Sequence, residues 1–252
     1  ETARVIASDD GRQWSTYVSH PDVRHFHGLF HDPYTETLWG TTGDTNEEST
    51  IGRFVDGEYR PVGGRSQTWR AVDLAFTPES VLWGMDCSYA PRIEILRLSR
   101  DDIPPESADS VADQPTPEVV GAVDAPVFYA ETIQTDGTTW AVFSTASTTG
   151  TDSTGPEADE TGSEPVRVVA ASRQSGYKRW YQLVAVERSA ALGTVIPAVP
   201  TANAYAFLAT TPNGDLIINP FNTRRNHGEL IVHRPSSFTD APRLSADVGD
   251  FG

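Results

Sequence analysis

The strongest constraint on the fold is an internal repeat with an offset of 44 residues. The same gapless offset pairs Leu38-Trp39-Gly40 with Leu82-Trp83-Gly84, Ile51 with Ile95, Arg53 with Arg97 and Phe54 with Leu98. A period of about 40 to 50 residues with strand-like content and no helical pattern is typical of β-propellers. Each blade is a four-stranded sheet that buries its faces only by stacking on its neighbours. The sequence therefore predicts an all-β chain of four-stranded antiparallel blades.

Hairpin signals such as Asp56-Gly57 divide the chain into one partial blade and four further blades. The expected blades cover approximately residues 1–20 (partial), 24–64, 69–123, 126–188 and 203–236. In the two best-matched blades the predicted strands are His25–His31, Thr37–Thr42, Thr50–Val55, Glu58–Val62, Trp69–Phe76, Val81–Asp86 and Ile93–Leu98. The sequence pattern accounts for about 4.5 to 5 blades. We expect a single propeller domain over residues 1–252 that is incomplete at its N-terminus.

Two acidic, low-complexity stretches interrupt the blades at residues 101–118 and 144–165. They are rich in Pro, Ser, Thr, Gly and acidic residues and lack the apolar content needed to fold alone. We interpret them as mobile insertions between strands. The alternative is a two-domain chain with its boundary at the first stretch.

The charge balance excludes several classes of partner. The net charge is −16, and Lys178 is the only lysine beside 18 arginines. Phosphate recognition requires clustered basic residues, so nucleic acid and anionic membranes are not expected as partners. The sequence also lacks an apolar run long enough for a membrane helix. The composition resembles that of haloarchaeal proteins, in which concentrated salt screens acidic self-repulsion.

Cysteine content leaves the compartment open. With Cys87 alone, neither an intrachain disulfide nor a multi-cysteine zinc site can form. Both a cytoplasmic and a secreted location in a high-salt organism are compatible with the sequence.

The segment from Ala7 to Trp14 resembles the Asp-box of sialidase-like propellers, with Asp9, Gly11 and Trp14 at the matching positions. The resemblance implies a structural hairpin in which the Asp carboxylate accepts backbone N–H groups, Gly adopts positive φ and Trp packs between sheets. It implies an architecture rather than a reaction.

Histidines mark the most distinctive segment of the chain. On an ideal strand His25, His27 and His31 project to one side, and Asp44, Arg70 and Asp86 can approach from neighbouring strand ends. We predict these six residues as a ligand-binding set. The histidines could contact a substrate, His25 and His27 could bind a divalent metal, or all three could bond only to backbone and water. No other cofactor is expected.

A working sialidase requires three arginines, a Tyr activated by a Glu, and an acid/base Asp. Arg24, Arg70 and Arg97 are the candidates for the three arginines, which bind the substrate carboxylate in sialidases. Tyr34 or Tyr89 could serve as the nucleophile. Because Arg53 and Arg97 are repeat-equivalent, they are better interpreted as structural. Likewise, Trp39 and Trp83 are interpreted as packing residues between blades.

Two functions follow from these patterns. The first is a glycan-recognising propeller, related to glycoside hydrolases or lyases, that binds a carbohydrate or other small polar ligand at the channel mouth. The second is a non-catalytic scaffold for protein or ligand binding, because the propeller fold alone determines no function. Whether the chain is an enzyme and what its oligomeric state is remain open at this stage.

Overall fold

The computed structural model describes residues 2–87, 90, 92–105, 114–135, 137–147, 164–189 and 203–244. Within these residues the chain is all-β and forms five antiparallel sheets, in each of which the strands are neighbours in chain order. The first sheet has two strands, β1 (Ala3–Ala7) and β2 (Ser15–His20). The second has four, β3 (Phe26–Asp32), β4 (Thr37–Thr42), β5 (Thr50–Val55) and β6 (Glu58–Gly64).

The remaining three sheets repeat this arrangement. The third contains β7 (Ala75–Phe76), β8 (Ser80–Gly84), β9 (Ile93–Ser99) and β10 (Glu118–Val123). The fourth contains β11 (Val127–Gln134), β12 (Thr139–Thr145), β13 (Val166–Ser172) and β14 (Trp180–Val186). The fifth contains β15 (Tyr205–Thr210), β16 (Leu216–Phe221) and β17 (Ile231–His233). Short 3-10 helices are described at Gln67–Trp69, Arg100–Asp102, Arg173–Ser175 and Pro235–Asp240.

One predicted strand, Trp69–Phe76, is wrong over most of its length. The segment begins with the end of a 3-10 helix, and only Ala75 and Phe76 pair with β8. Two backbone N–H groups of this segment form local hydrogen bonds instead of bonds to a neighbouring strand. The Arg70 N–H donates to the Gln67 carbonyl, and the Leu74 N–H donates to the Asp73 side chain. Of the predicted acidic insertions, residues 106–113 and 148–163 lie outside the described residues.

The 44-residue repeat is preserved in strand order but not in register. In the second sheet Arg53 lies opposite Trp39, whereas in the third sheet Arg97 lies opposite Leu82 and Trp83 faces Leu96. A one-residue change of register moves a side chain to the other face. Accordingly Arg53 stacks on Trp39, whereas Arg97 stacks on Tyr177 in the connection between β13 and β14. Both arginines make structural contacts, but they are not equivalent in space.

The second strands of the third and fourth sheets are buried on both faces. Every residue of β8 and of β12 is buried, which requires a packed neighbour on each side of the sheet. Trp39 on β4 packs against Phe76 of the next sheet, and the Trp180 indole N–H donates to the Val120 carbonyl on β10. One hydrophobic cluster contains side chains from the second, third and fourth sheets. No helix among the described residues is long and apolar enough to cross a membrane.

A buried ion pair joins the second and third sheets. Asp32, at the end of β3, is fully buried and accepts hydrogen bonds of 2.6 and 2.9 Å from the Arg100 guanidinium. The Thr35 hydroxyl and the Tyr34 N–H also donate to this carboxylate. Burial alone would raise the pKa of Asp32, but Arg100 and these donors together hold it below the usual value.

The hairpin between β1 and β2 departs from the Asp-box expectation. Asp10, rather than Asp9, accepts the Arg12 and Gln13 N–H groups, each at 2.8 Å. Gly11 has a φ of +69°, as predicted for the turn. Trp14 is 59% exposed, so the prediction that it packs between sheets is wrong. The carboxylate of Asp10 reaches the two N–H groups, and none of the five sheets in the described residues covers the Trp14 ring.

Candidate functional site

Five of the six predicted ligand residues converge with Arg24 into one group, which we call the charged cluster: Arg24, His25, His27, Asp44, Arg70 and Asp86. They come from the start of β3, the loop after β4, the residue after the first 3-10 helix and the loop after β8. The Asp86 N–H donates to the Arg70 carbonyl at 3.0 Å, which fixes two of these segments together.

The turn at Gly43 sets the position of Asp44. Gly43 has a φ of +106°, and a Cβ at this residue would lie 2.4 Å from the Ser49 nitrogen. Only glycine fits a backbone that turns this tightly. The turn directs the Asp44 side chain toward β3, where Oδ1 lies 3.4 Å from Nε2 of His27.

His27 is the most buried histidine of the cluster, with 7% of its side chain exposed. Its Nδ1 lies 3.0 Å from the Ala71 carbonyl, which can only accept, so Nδ1 carries the hydrogen and Nε2 carries the lone pair. Burial lowers the pKa of His27 and the positive charges of Arg70 and Arg24 add to this effect, whereas backbone hydrogen bonds with Ala71 and Gly43 oppose it. A neutral imidazole therefore presents Nε2 to a carboxylate oxygen.

Arg70 joins the two carboxylates of the cluster. Its Nη2 lies 3.3 Å from Oδ1 of Asp44 and 3.3 Å from Oδ2 of Asp86, and its Nη1 donates to the Asp44 carbonyl at 3.1 Å. The side chain is only 9% exposed. A buried guanidinium between two carboxylates is held in one orientation, so this part of the cluster is rigid.

Arg24 and His25 form the solvent side of the cluster. Arg24 contacts Oδ2 of Asp44, and 64% of its side chain is exposed. The His25 ring lies 4.7 Å from the His27 ring, and its Nδ1 is 3.9 Å from Oδ2 of Asp44. Partial burial lowers the pKa of His25, and the neighbouring His27 and Arg24 lower it further. The outer face of the cluster is therefore open to a ligand.

His31 does not join the charged cluster. A β-bulge changes the register between Phe26 and Gly28, so strict alternation fails at His27. His31 instead lies at the far end of β3, where its Nε2 is 3.4 Å from Oε2 of Glu36 on an exposed turn. The extra residue in the strand reverses the face on which the later side chains project, which separates His31 from His27.

At that far end lies a cavity of about 700 Å³, which we call the central cavity. It is lined by the first strand, or the turn that follows it, in four different sheets. The lining residues are Leu29, Phe30, His31, Pro33, Tyr34, Leu74, Phe76, Ala130, Glu131, Thr132, Gln134, Thr210, Thr211, Pro212, Asn213 and Gly214. Aromatic rings and uncharged hydrogen-bonding groups dominate this wall, and Glu131 supplies a carboxylate.

Asp73 lies beside the central cavity and was not singled out by the sequence. Its carboxylate accepts the Leu74 N–H at 2.8 Å and the Ala130 N–H at 2.9 Å. Burial raises the pKa of Asp73 to about 6, and the nearby Glu131 adds to the rise. The pKa of Tyr129 is raised to about 12 by burial, with Tyr205 and Asp73 contributing. A carboxyl group whose pKa is raised by burial and a neighbouring charge is a common feature of functional sites.

The predicted nucleophiles are not supported by their surroundings. Tyr34 lines the central cavity, but its ring stacks under Arg100 at 5.2 Å and its hydroxyl contacts Gln134. Burial raises the pKa of Tyr34, which is the opposite of activation. Tyr89 lies outside the described residues. Arg97 is bound to Ser80 and Glu118, so it does not join Arg24 and Arg70 in an anion grip.

Neither the models of known protein families nor the curated proteins give a match to this sequence. The charged cluster and the central cavity are therefore the features of the molecule that bear on its function.

Proposed function

We propose that the five sheets are blades of a β-propeller, and that the chain binds a carbohydrate or a similar small polar ligand in the central cavity. The propeller arrangement is supported by the contacts of β11, which touches β7 on one side and β15 on the other. The first strands of the third, fourth and fifth sheets are thus neighbours, as around a propeller axis. The relationship to sialidase-like propellers is part of the proposal and depends on sequence resemblance.

The observation that carries the ligand proposal is the composition of the cavity wall. A volume of about 700 Å³ falls within the range typical of small-molecule sites. Phe30 and Phe76 offer apolar ring surface, which suits the C–H faces of a sugar. Gln134, Asn213 and Thr211 offer uncharged donors and acceptors for hydroxyl groups. A neutral polyhydroxylated ligand satisfies both kinds of surface.

The charged cluster is a weaker candidate for the sugar. Both of its guanidinium groups are already paired with carboxylates, so an anionic ligand would have to displace Asp44 or Asp86. Breaking a partly buried ion pair is costly, which favours the cavity over the cluster as the saccharide site.

Calorimetric titration with a panel of neutral and acidic oligosaccharides, in about 1 M NaCl to screen the acidic surface, tests the proposal. We expect saturable binding that Gln134→Ala or Asn213→Ala weakens about three- to tenfold, because each removes one hydrogen bond to the ligand. Gln13→Ala, in the exposed first hairpin, is the matched control and leaves binding unchanged. Absence of saturable binding, or binding that is indifferent to both cavity variants, refutes the proposal.

Hydrolysis is a further property to test at the same cavity. Glycoside hydrolysis needs one protonated and one ionised carboxyl group near the bond that is cleaved. Glu131 on the cavity wall and Asp73, which has a pKa of about 6 and adjoins the lining residue Leu74, are the candidates for these roles. Release of product from aryl glycosides, abolished by Asp73→Asn and by Glu131→Gln, would establish an enzyme. Saccharide binding without turnover would establish a lectin-like module.

A non-catalytic scaffold that binds another protein is the second candidate function. The observation favouring it is an aromatic surface on β15 and β16, where Tyr205 stacks on Phe221 and Phe207 lies nearby. Phe207 is 42% exposed and Phe221 is 37% exposed. Sedimentation velocity of the wild type and of Phe207→Ser discriminates the candidates. Self-association that is lost in the variant, with no saccharide binding, supports the scaffold.

A further inference from the structure

We propose that His25, His27 and Asp44 form a binding site for a divalent transition metal of the zinc class. One ligand atom from each of these residues lies within 4.8 Å of the other two. The site is distinct from the central cavity, because it lies at the opposite end of β3. The inference does not depend on carbohydrate binding.

The distance between His27 and Asp44 matches the coordination geometry of zinc. With metal–ligand bonds of about 2.0 to 2.1 Å, two ligands of a tetrahedral ion lie about 3.3 to 3.4 Å apart. Nε2 of His27 and Oδ1 of Asp44 are separated by 3.4 Å. His25 Nδ1 is 3.9 Å from the other carboxylate oxygen, Oδ2, and 43% of its side chain is exposed, so binding to a shared ion requires this ring to rotate.

His27 is already oriented as a metal ligand. Metal-bound histidines usually donate the other ring N–H to a carbonyl or a carboxylate, which fixes both the tautomer and the ring plane. The Ala71 carbonyl has this role for His27, at 3.0 Å from Nδ1. The lone pair on Nε2 faces the Asp44 carboxylate, which is also an acceptor, and a cation between them satisfies both groups.

The arginines around Asp44 have different roles in this proposal. Oδ2 of Asp44 contacts Arg24 but accepts no hydrogen bond of ordinary geometry. Arg24 is mostly exposed and can move into solvent when a metal binds. Arg70 is buried and shared with Asp86, so it stays in place and steadies the ligand carboxylate. Arg24 is therefore the competitor of the metal.

The donor set selects the class of metal. Two imidazole nitrogens and one carboxylate suit Zn²⁺, Co²⁺, Ni²⁺ or Fe²⁺, whereas Ca²⁺ and Mg²⁺ prefer oxygen ligands alone. Three protein ligands leave a fourth position for water or for a ligand atom, as in catalytic zinc sites. Partly exposed His25, at 43% of its side chain, gives solvent access to this group of ligands.

Two titrations of the metal-free full chain test the proposal. Binding of Co²⁺ is monitored by visible absorption, and binding of Zn²⁺ is monitored by calorimetry. We expect one ion per chain and intense absorption bands typical of tetrahedral Co²⁺. His27→Gln and Asp44→Asn should each weaken binding at least tenfold, while their circular dichroism spectra stay those of the wild type. Arg24→Gln should tighten binding about five- to tenfold, because it removes a competing charge near the ion.

The matched control is His31→Gln, which removes the histidine of an exposed His–carboxylate pair with the same 3.4 Å separation. It should leave cobalt binding unchanged. Gln134→Ala should also leave it unchanged, so a failure of the saccharide proposal does not affect this test. The inference is overturned if no stoichiometric ion binds, or if His27→Gln binds as tightly as the wild type. An Arg24→Gln chain that still binds no metal would identify the cluster as a simple ion-pair network.

Discussion

Replacing Asp73 by Asn removes a buried carboxylate that the fold holds in an unfavourable environment. Both oxygens accept backbone N–H groups, from Leu74 and Ala130. An amide can accept only one of these bonds, because its NH₂ group opposes the second N–H. The substitution therefore costs one buried hydrogen bond at every pH, about 1 to 3 kcal/mol. It also removes the pH dependence that the carboxylate contributes.

The size and sign of that pH dependence follow from the raised pKa of Asp73. A rise from the ordinary 3.8 to about 6 corresponds to about 3 kcal/mol, since each pKa unit is worth about 1.36 kcal/mol. The folded state binds this proton more tightly than the unfolded state. The stabilisation is therefore fully present below about pH 3.8 and is lost as the pH rises through about 6. Glu131 and Tyr129 on β11 are the titratable neighbours that share this environment.

Urea unfolding of the wild type and of Asp73→Asn between pH 3.5 and 8 measures this effect. We expect the stability advantage of the wild type to shrink by about 3 kcal/mol over this range, so that the variant equals or exceeds it at pH 8. Thr132→Val, on the cavity wall, is the control, because it removes no titratable group and its difference from the wild type should be constant. A wild-type advantage that stays constant or grows with pH would refute the assignment of a raised pKa to Asp73.

Three further predictions concern stability. Arg100→Met leaves the buried Asp32 carboxylate unpaired and should cost about 3 to 5 kcal/mol in urea unfolding at pH 7. Because the pKa of Asp32 is lowered, this cost should fade as the pH drops below 3.8, and an unchanged cost there contradicts the argument. Gly84→Ala places a Cβ 2.3 Å from Val127 and should cost about 1 to 3 kcal/mol by thermal unfolding; Gly137→Ala, with open space around it, is the control and should be nearly neutral. Raising NaCl from about 0.1 to 1 M should increase the melting temperature, because salt screens the repulsion within a chain of net charge −16; a decrease would argue against salt adaptation.

Prediction from sequence succeeded where the signal was local. The strands Thr37–Thr42 and Thr50–Val55 and the Asp56-Gly57 turn follow from side-chain alternation and turn chemistry, and the structure has them at the predicted residues. Five of the six predicted ligand residues also converge, because each lies at a strand start or in a loop on the same side of its sheet.

Prediction failed where one extra residue or a distant neighbour decides the outcome. The bulge at His27 reverses the face of His31, and alternation cannot show where a strand contains an extra residue. The sequence around Asp73 does not distinguish it from an ordinary polar residue. The Ala130 N–H that holds its carboxylate in place comes from β11, 57 residues later in the chain. No local pattern contains that information.

The sequence by itself determined the all-β class, the four-stranded repeating unit and the acidic surface, since periodicity and composition are properties of neighbouring residues and of totals. Tertiary structure decided the register that separates Arg53 from Arg97, the burial that sets the pKa of Asp73, and the cavity between four first strands. These features depend on how one sheet packs against the next. Desolvation and steric fit between sheets arise only when segments distant in the chain come into contact.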